Sequence, residues 1–169
     1  MAMKINKRLF DSVNELEEYL KNQDTTDVIL LGEDSIVKNS AYALSIIDGD
    51  FNVVIGLTTT GGLMPEYVII NDAIFVGYNS EISIIKHGKL INRIVDDAPF
   101  YEFMSVSSIP DCVIAIFELG VFCVNANGSV KWRYISKDII TNSALRGDLL
   151  TISTEADNLE IDIYNGEIK

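Results

Sequence analysis

Short apolar runs, each closed by a turn signal, recur along most of this chain. The clearest set is Cys112 to Tyr134, CVIAIFELGVFCVNANGSVKWRY. Cys112–Phe117 and Val121–Val124 are apolar, and Glu118-Leu119-Gly120 turns the chain between them. Ser129–Tyr134 alternates polar and apolar, as a half-exposed strand does. Asn127-Gly128 before it predicts a type I′ hairpin, which needs positive φ at both central positions.

The same reading extends along the chain. Strands are predicted at Val28–Leu31, Tyr42–Ile47, Phe51–Leu57, Tyr67–Ile70, Ala73–Tyr78, Ile82–Ile85, Leu90–Val95 and Phe100–Val106. Asp138–Asn142, Leu149–Thr154 and Leu159–Tyr164 follow the central set. Turn-forming Gly, Asn, Asp and Pro stand between them. One segment has helical spacing instead. Val13, Leu16 and Leu20 fall on one face. Ser12-Val13-Asn14-Glu15 has the capping-box form, in which Ser12 accepts from the Glu15 N–H and Glu15 reaches back. This predicts a short amphipathic helix ending near Asn22, after an irregular or strand-like lead-in. Its expected job is to cover the edge or open face of a sheet.

A repeat runs through the strands. The turn glycine recurs at Gly49, Gly88, Gly128 and Gly166, at separations of 39, 40 and 38 residues. A period near 40 with about four strands per unit suggests propeller-blade modules, although evenly spaced hairpins also suit a plain antiparallel meander. Residues 112–134 resemble a PQQ-type or WD-type β-propeller repeat: apolar strand, short turn ending in Gly, Val-Phe-Cys-Val, Asn-Gly, then Lys-Trp-Arg. Residues 148–169 resemble it without its last strand. Residues 73–95 resemble it more faintly, with Ile91 where the Trp would stand. The resemblance covers roughly 67–169. It implies a mainly β fold of about three to four incomplete antiparallel blades with one short N-terminal helix. Closed propellers have four to eight blades, so an open, twisted stack is expected. The organisation expected is a single domain over 1–169, with 1–26 the lead-in and helix and 27–169 the blade-like repeats. The quinone-binding residues of enzymes that share this repeat have no counterpart here, and no cofactor is expected.

Composition narrows the partners. The 169 residues are 48% apolar, which suits one domain with a real core. Twenty-five acidic residues face thirteen basic ones, a net charge of −12. That balance argues against a nucleic-acid backbone and an anionic membrane surface, both of which call for clustered Lys and Arg. Any charged partner is expected to be basic. No apolar run reaches the roughly 18–20 residues of a membrane span, and the start carries no apolar signal region. A cytoplasmic protein is the expectation. Cys112 and Cys123 fall in apolar runs and are expected as buried free thiols.

Placing the predicted loops on two rims separates the charges. The rim holding the turns between strands one and two, and three and four, is mixed. The other rim carries Glu66, Glu81, Asp96, Asp97, Glu102, Glu118, Asp138, Glu155 and Asp157, with Lys137 its main basic member and Glu33 and Asp34 as further candidates. Phe100, Tyr101, Leu63 and Met64 are its expected aromatic and apolar members. Loops are often acidic because they are solvated, but the asymmetry between rims favours a surface that steers a basic protein into contact.

Catalytic chemistry is hard to place. The single His, His87, falls in a predicted tight turn beside Gly88, and one His with two apolar-flanked Cys makes no zinc set. No nucleophile elbow, P-loop or dinucleotide fingerprint is present. Asp48-Gly49-Asp50 lacks the alternating ligands and final Glu of a calcium loop and reads as a hairpin turn. Asp96-Asp97 could serve as a carboxylate pair, but nothing raises it above a solvated loop. In size, acidity and lack of catalytic groups the chain resembles immunity proteins of contact-dependent or polymorphic toxin systems. That resemblance implies a non-enzymatic bacterial protein that neutralises a basic toxin, most plausibly a nuclease. The contact residues would be Glu66, Glu81, Asp96, Asp97, Phe100, Tyr101, Glu102, Glu118, Glu155 and Asp157. The alternative is a propeller-derived scaffold acting through homo-oligomerisation or a larger assembly.

Overall fold

The computed structural model describes residues 3–24, 27–33, 37–48 and 51–169. They group into two compact units, Met1–Met64 with Ile85–Leu90, and Pro65–Ile84 with Ile91–Lys169. The predicted turn at Gly49, with Asp50, and the candidate Asp34 lie outside the described residues.

The first unit holds β1 (Lys4–Phe10), α1 (Val13–Lys21), β2 (Asp27–Leu31), β3 (Ser40–Asp48) and β4 (Phe51–Thr59), with sheet order β1-β3-β4-β2. Helix α1 starts as the sequence predicts: Ser12 Oγ accepts from Glu15 N–H at 3.2 Å, and Asn22 is the C-cap. Glu15 reaches back one residue further than expected, accepting from Asp11 N–H. The helix covers one face of the sheet. Leu16 and Leu20 pack with Phe10, Ala41, Ala43 and Val54. Small residues let it approach closely, because a Cβ at Gly56 would meet Leu20 Cδ1 at 2.4 Å. This sheet departs from the expected blade pattern. The lead-in becomes an edge strand, and β2 pairs β4 in parallel.

The second unit is blade-like. Its first sheet runs β5 (Glu66–Ile70), β6 (Ala73–Tyr78), β7 (Glu81–Lys86) and β8 (Lys89–Val95) in that order; residues 85–90, the tip of the β7–β8 hairpin, group with the first unit. The next has β9 (Phe100–Ser105), β10 (Cys112–Phe117), β11 (Gly120–Asn125) and β12 (Val130–Ile135), also in sequential order. The last has β13 (Ile140–Arg146), β14 (Leu149–Thr154) and β15 (Asn158–Asp162). Where a fourth strand would begin, Ile168 bridges Ile161 and Lys169 N–H donates to Glu160 O.

Period-two geometry explains the stacking, because successive side chains on a strand point to opposite faces. Val113, Ala115 and Phe117 of β10 enter one core with Phe75, Ile82, Ile84 and Phe100. Cys112, Ile114 and Ile116 enter another with Trp132, Leu150, Ile152 and Ile161. Trp132 Nε1 donates to Ile163 O at 2.8 Å, tying β12 to the chain after β15.

The repeat is visible in the contacts themselves. Asn71 donates to Asp111 at 2.8 Å and Ser108 to Asp148 at 3.1 Å, each bond joining residues 40 apart. Gly88, Gly128 and Gly166 all have positive φ. The type I′ geometry falls elsewhere than predicted. His87 and Gly88 both have positive φ, at 50° and 69°, whereas Gly128 has it without Asn127. The Asn127-Gly128 connection is a wider loop closed by Asn125 N–H to Ser129 O and Gly128 N–H to Asn125 O.

Leu16 is wholly buried between α1 and its sheet. Leu16→Ala is expected to lower the unfolding free energy by about 2–5 kcal/mol, measured by urea denaturation against the wild type.

Candidate partner-binding surface

Backbone hydrogen bonds join several of the second-unit loops assigned to the predicted acidic rim. Asp96 N–H donates to Ser80 O at 2.8 Å and Phe100 N–H to Asn79 O at 2.7 Å, clipping the 79–80 turn to the 96–99 loop. Glu118 N–H donates to Pro99 O, Ser136 N–H to Leu119 O and Ile140 N–H to Glu118 O, at 2.8, 2.9 and 2.8 Å. Thr154 pairs with Ile140, which brings the 155–157 turn beside the same seam. Backbone bonds thus connect loops from three sheets along one edge.

The carboxylates on it divide into two groups. Asp97, Asp138, Glu155 and Asp157 are exposed. Glu66 is exposed too but hydrogen-bonded, and Asp96, Glu102 and Glu118 are half-buried and hydrogen-bonded. Glu66 accepts from Phe103 N–H at 3.3 Å, and Glu102 from the Ser143 hydroxyl. Asp96 Oδ1 accepts from Ala98 N–H at 2.9 Å and shapes its own loop. Glu118 accepts from the Tyr101 hydroxyl at 3.1 Å; burial, and then this bond to an anion, holds the Tyr101 hydroxyl above its ordinary pKa.

Two predicted contact residues face inward. Phe100 is 1% exposed and packs against Phe103 and Phe117 at centroid distances of 4.6 and 5.6 Å. The apolar residue opening β9 belongs to the core because strand alternation turns it there. Glu81 is mostly buried and pairs with Arg93 at 2.6 Å, with Tyr78 and Ser83 also bonded to it. Burial and the Glu81 bond push the Tyr78 hydroxyl well up. Arg93 therefore compensates a charge that strand order alone leaves open. Leu63, Met64 and Glu33 belong to the first unit.

Sequence reasoning missed the apolar part of the edge. Val95, Leu119, Ile135 and Ile139 are 66%, 37%, 54% and 49% exposed. Each lies at a strand end or in a loop of the seam. Leu119 offered a signal, since a two-residue turn between Phe117 and Gly120 needs no apolar side chain. A mixed edge of carboxylates and exposed aliphatics suits a protein partner better than a small ion.

The thiols are inert structural groups. Cys112 and Cys123 are free and buried. Cys112 contacts Asn125 Oδ1 at 3.2 Å, and burial, reinforced by Cys112, pushes the Cys123 thiol up to about 12. Among the described residues no group of three or more His, Cys, Asp or Glu is placed to hold a metal. None of their helices is long and apolar enough to cross a membrane.

Two expectations follow from this geometry. Phe100→Ala is expected to cost about 3–5 kcal/mol of stability in urea denaturation, as a core truncation does. A thiol reagent such as DTNB at pH 8 is expected to label neither cysteine in the folded chain and both in guanidinium; rapid labelling of the native protein would refute their burial.

No family model and no curated protein sequence matches this chain. Solved structures do, at the level of fold. BamB from Moraxella catarrhalis matches with TM-score 0.54 and 11% identity, over 83% of this chain and 50% of that one. BBS1N, solved in complex with ARL6DN, matches at 0.51 and 16%, over 77% and 47%. The Neurospora crassa Pan2 WD40 domain matches at 0.51 and 10%, over 77% and 44%. The chain has a propeller-like fold, and it spans about half the length of these structures.

Proposed function

We propose that this chain is a non-enzymatic binding protein whose acidic edge covers the basic surface of a protein partner. Its most concrete form is a bacterial, cytoplasmic immunity protein that neutralises a nuclease toxin. The observation that carries the reading is the seam itself. Backbone bonds hold loops from three sheets in one edge, which presents exposed Asp97, Asp138, Glu155 and Asp157 beside exposed aliphatics. A nuclease must carry a positive site for its substrate. A preorganised acidic surface raises the encounter rate with such a site, and its apolar members slow dissociation. Of the predicted contact set, Asp97, Glu155 and Asp157 are free to meet a partner. Glu66, Asp96, Tyr101, Glu102 and Glu118 would do so while also bonded within the fold, and Glu81 and Phe100 act as supports.

A second reading has one fact in its favour: the chain spans about half the length of the propeller structures it matches. A propeller-derived scaffold working within a homo-oligomer or a larger assembly fits that proportion.

Titration of the purified protein against a cognate nuclease toxin tests the first reading. Inhibition is expected to be complete near equimolar ratio. Replacing Asp97, Glu155 and Asp157 with Lys is expected to slow association by about 10–100-fold at low salt. Nuclease activity unchanged at molar excess would sink the toxin reading.

A further inference from the structure

The 125–129 loop carries a chemistry that the binding readings leave unused. Asn127-Gly128 and Asn165-Gly166 are the two Asn-Gly dipeptides of the chain. In such a pair the glycine has no side chain to hinder attack by its own nitrogen on the asparagine Cγ. Both asparagines are exposed, and both glycines have positive φ, 85° and 76°. Gly128 N–H donates to Asn125 O and Gly166 N–H to Asp162 O, each at 2.8 Å. One backbone bond therefore opposes release of the nucleophile at either site.

The side-chain carbonyls differ. Asn127 Oδ1 accepts from Ser129 N–H at 2.9 Å and from the Ser129 hydroxyl at 2.7 Å. Asn125 Nδ2 donates to Ser129 Oγ at 2.8 Å and to Ser129 O at 3.2 Å. A hydroxyl that accepts from Asn125 keeps its single proton for Asn127 Oδ1. Asn165 Oδ1 accepts from Glu167 N–H alone among the described residues, at 3.0 Å. Two donors aimed at one carbonyl oxygen are the arrangement that stabilises an oxyanion when a nucleophile adds to the carbonyl carbon.

We infer that Asn127 is a site of spontaneous deamidation and that Ser129 promotes it. The Gly128 nitrogen loses its proton to solvent and adds to Asn127 Cγ. The negative charge moves to Oδ1, where the two Ser129 donors hold it. Collapse of the adduct breaks the Cγ–Nδ2 bond, and Nδ2 takes a proton from water and leaves as ammonia. One water then opens the cyclic imide. Attack at the side-chain carbonyl gives aspartate, and attack at the backbone carbonyl gives isoaspartate. The sum is asparagine plus water to acid plus ammonia, with no oxidant or cofactor. Either product adds a negative charge to a chain of net charge −12. Isoaspartate also adds a methylene to the backbone of a loop whose Gly128 O accepts from Asn92 Nδ2 at 2.7 Å.

Incubation of the full folded chain at mildly alkaline pH, followed by trypsin digestion and mass spectrometry, tests it. Trypsin places the two asparagines on different peptides, 94–131 and 147–169. Asn127 is expected to convert to the acid about tenfold faster than Asn165, less than the ~10²–10³-fold that one oxyanion donor contributes in an enclosed enzyme site, because this loop is solvated. Ser129→Ala leaves Asn127 Oδ1 the backbone donor only, as at Asn165, and is expected to bring its rate down to that of Asn165. Unfolding the wild type in guanidinium is expected to equalise the two sites. Equal native rates, or a Ser129→Ala chain that converts Asn127 as fast as the wild type or faster, overturns the inference. A difference that persists in guanidinium belongs to the sequence neighbours and overturns the role of the folded loop.

Discussion

Strands β10 and β11 of the second unit each have to feed two cores at once. β10 is the plainest case. All six of its residues are buried, three entering one core and three the next. A strand under that constraint has no position to give to a charge, since an unpaired buried charge costs several kcal/mol. β6 and β7 obey the same rule, with Ser83 and Tyr78 tolerated inside because they bond each other and Glu81. Polar residues are displaced to the strand ends, and so the fold itself sorts chemistry onto its rims. Recognition, wherever it occurs, has to use loops or outer strands.

The sheet faces of the two units are covered differently. In the first, α1 lies on one face of the sheet over Ala41, Ala43 and Gly56, where bulkier residues would hold the helix away. In the last sheet the inner face carries Leu145, Leu150, Ile152 and Ile161. Strand register assigns Asn142, Arg146, Thr151, Asn158, Glu160 and Asp162 to the opposite face. A mostly polar face of this kind can remain solvated. Asp162 illustrates the design. Bonds from Tyr164 N–H and then Lys169 favour its ionised form and hold its carboxyl below the ordinary value.

Much of the second unit was legible because its signals are local. The apolar runs at Ala73–Tyr78, Cys112–Phe117 and Leu149–Thr154 coincide with β6, β10 and β14 to the residue. The glycine period appears as hydrogen bonds spanning 40 residues. The helix was legible from Ser12 and three apolar positions. The parallel pairing of β2 with β4 was not, because partner choice within a sheet is a long-range event that leaves no local pattern. Turn type at Asn127-Gly128 failed for a related reason: the loop's geometry is set jointly by Asn125 and Ser129, which flank the dipeptide that carries the signal and bond to it and to each other. The rim could be drawn from strand order. Which of its members face outward could not, since that depends on partners such as Arg93 for Glu81 and Ser143 for Glu102.

That last distinction decides how acidity should be interpreted. A carboxylate on a loop has two uses: it can satisfy backbone or hydroxyl donors where strands end, or it can project a field. Glu66, Asp96, Glu102 and Glu118 do the first, through Phe103, Ala98, Ser143 and Tyr101. Their charges remain but are fixed in position by the scaffold. Asp97, Asp138, Glu155 and Asp157 stay exposed and are free to reorient toward a partner. On the proposed binding reading, the hydrogen-bonded carboxylates would set the potential without losing side-chain entropy, and the unbonded ones would adapt to the partner. On the same reading the exposed aliphatics along the seam would supply what charge alone cannot, a contact that survives once salt has screened the approach.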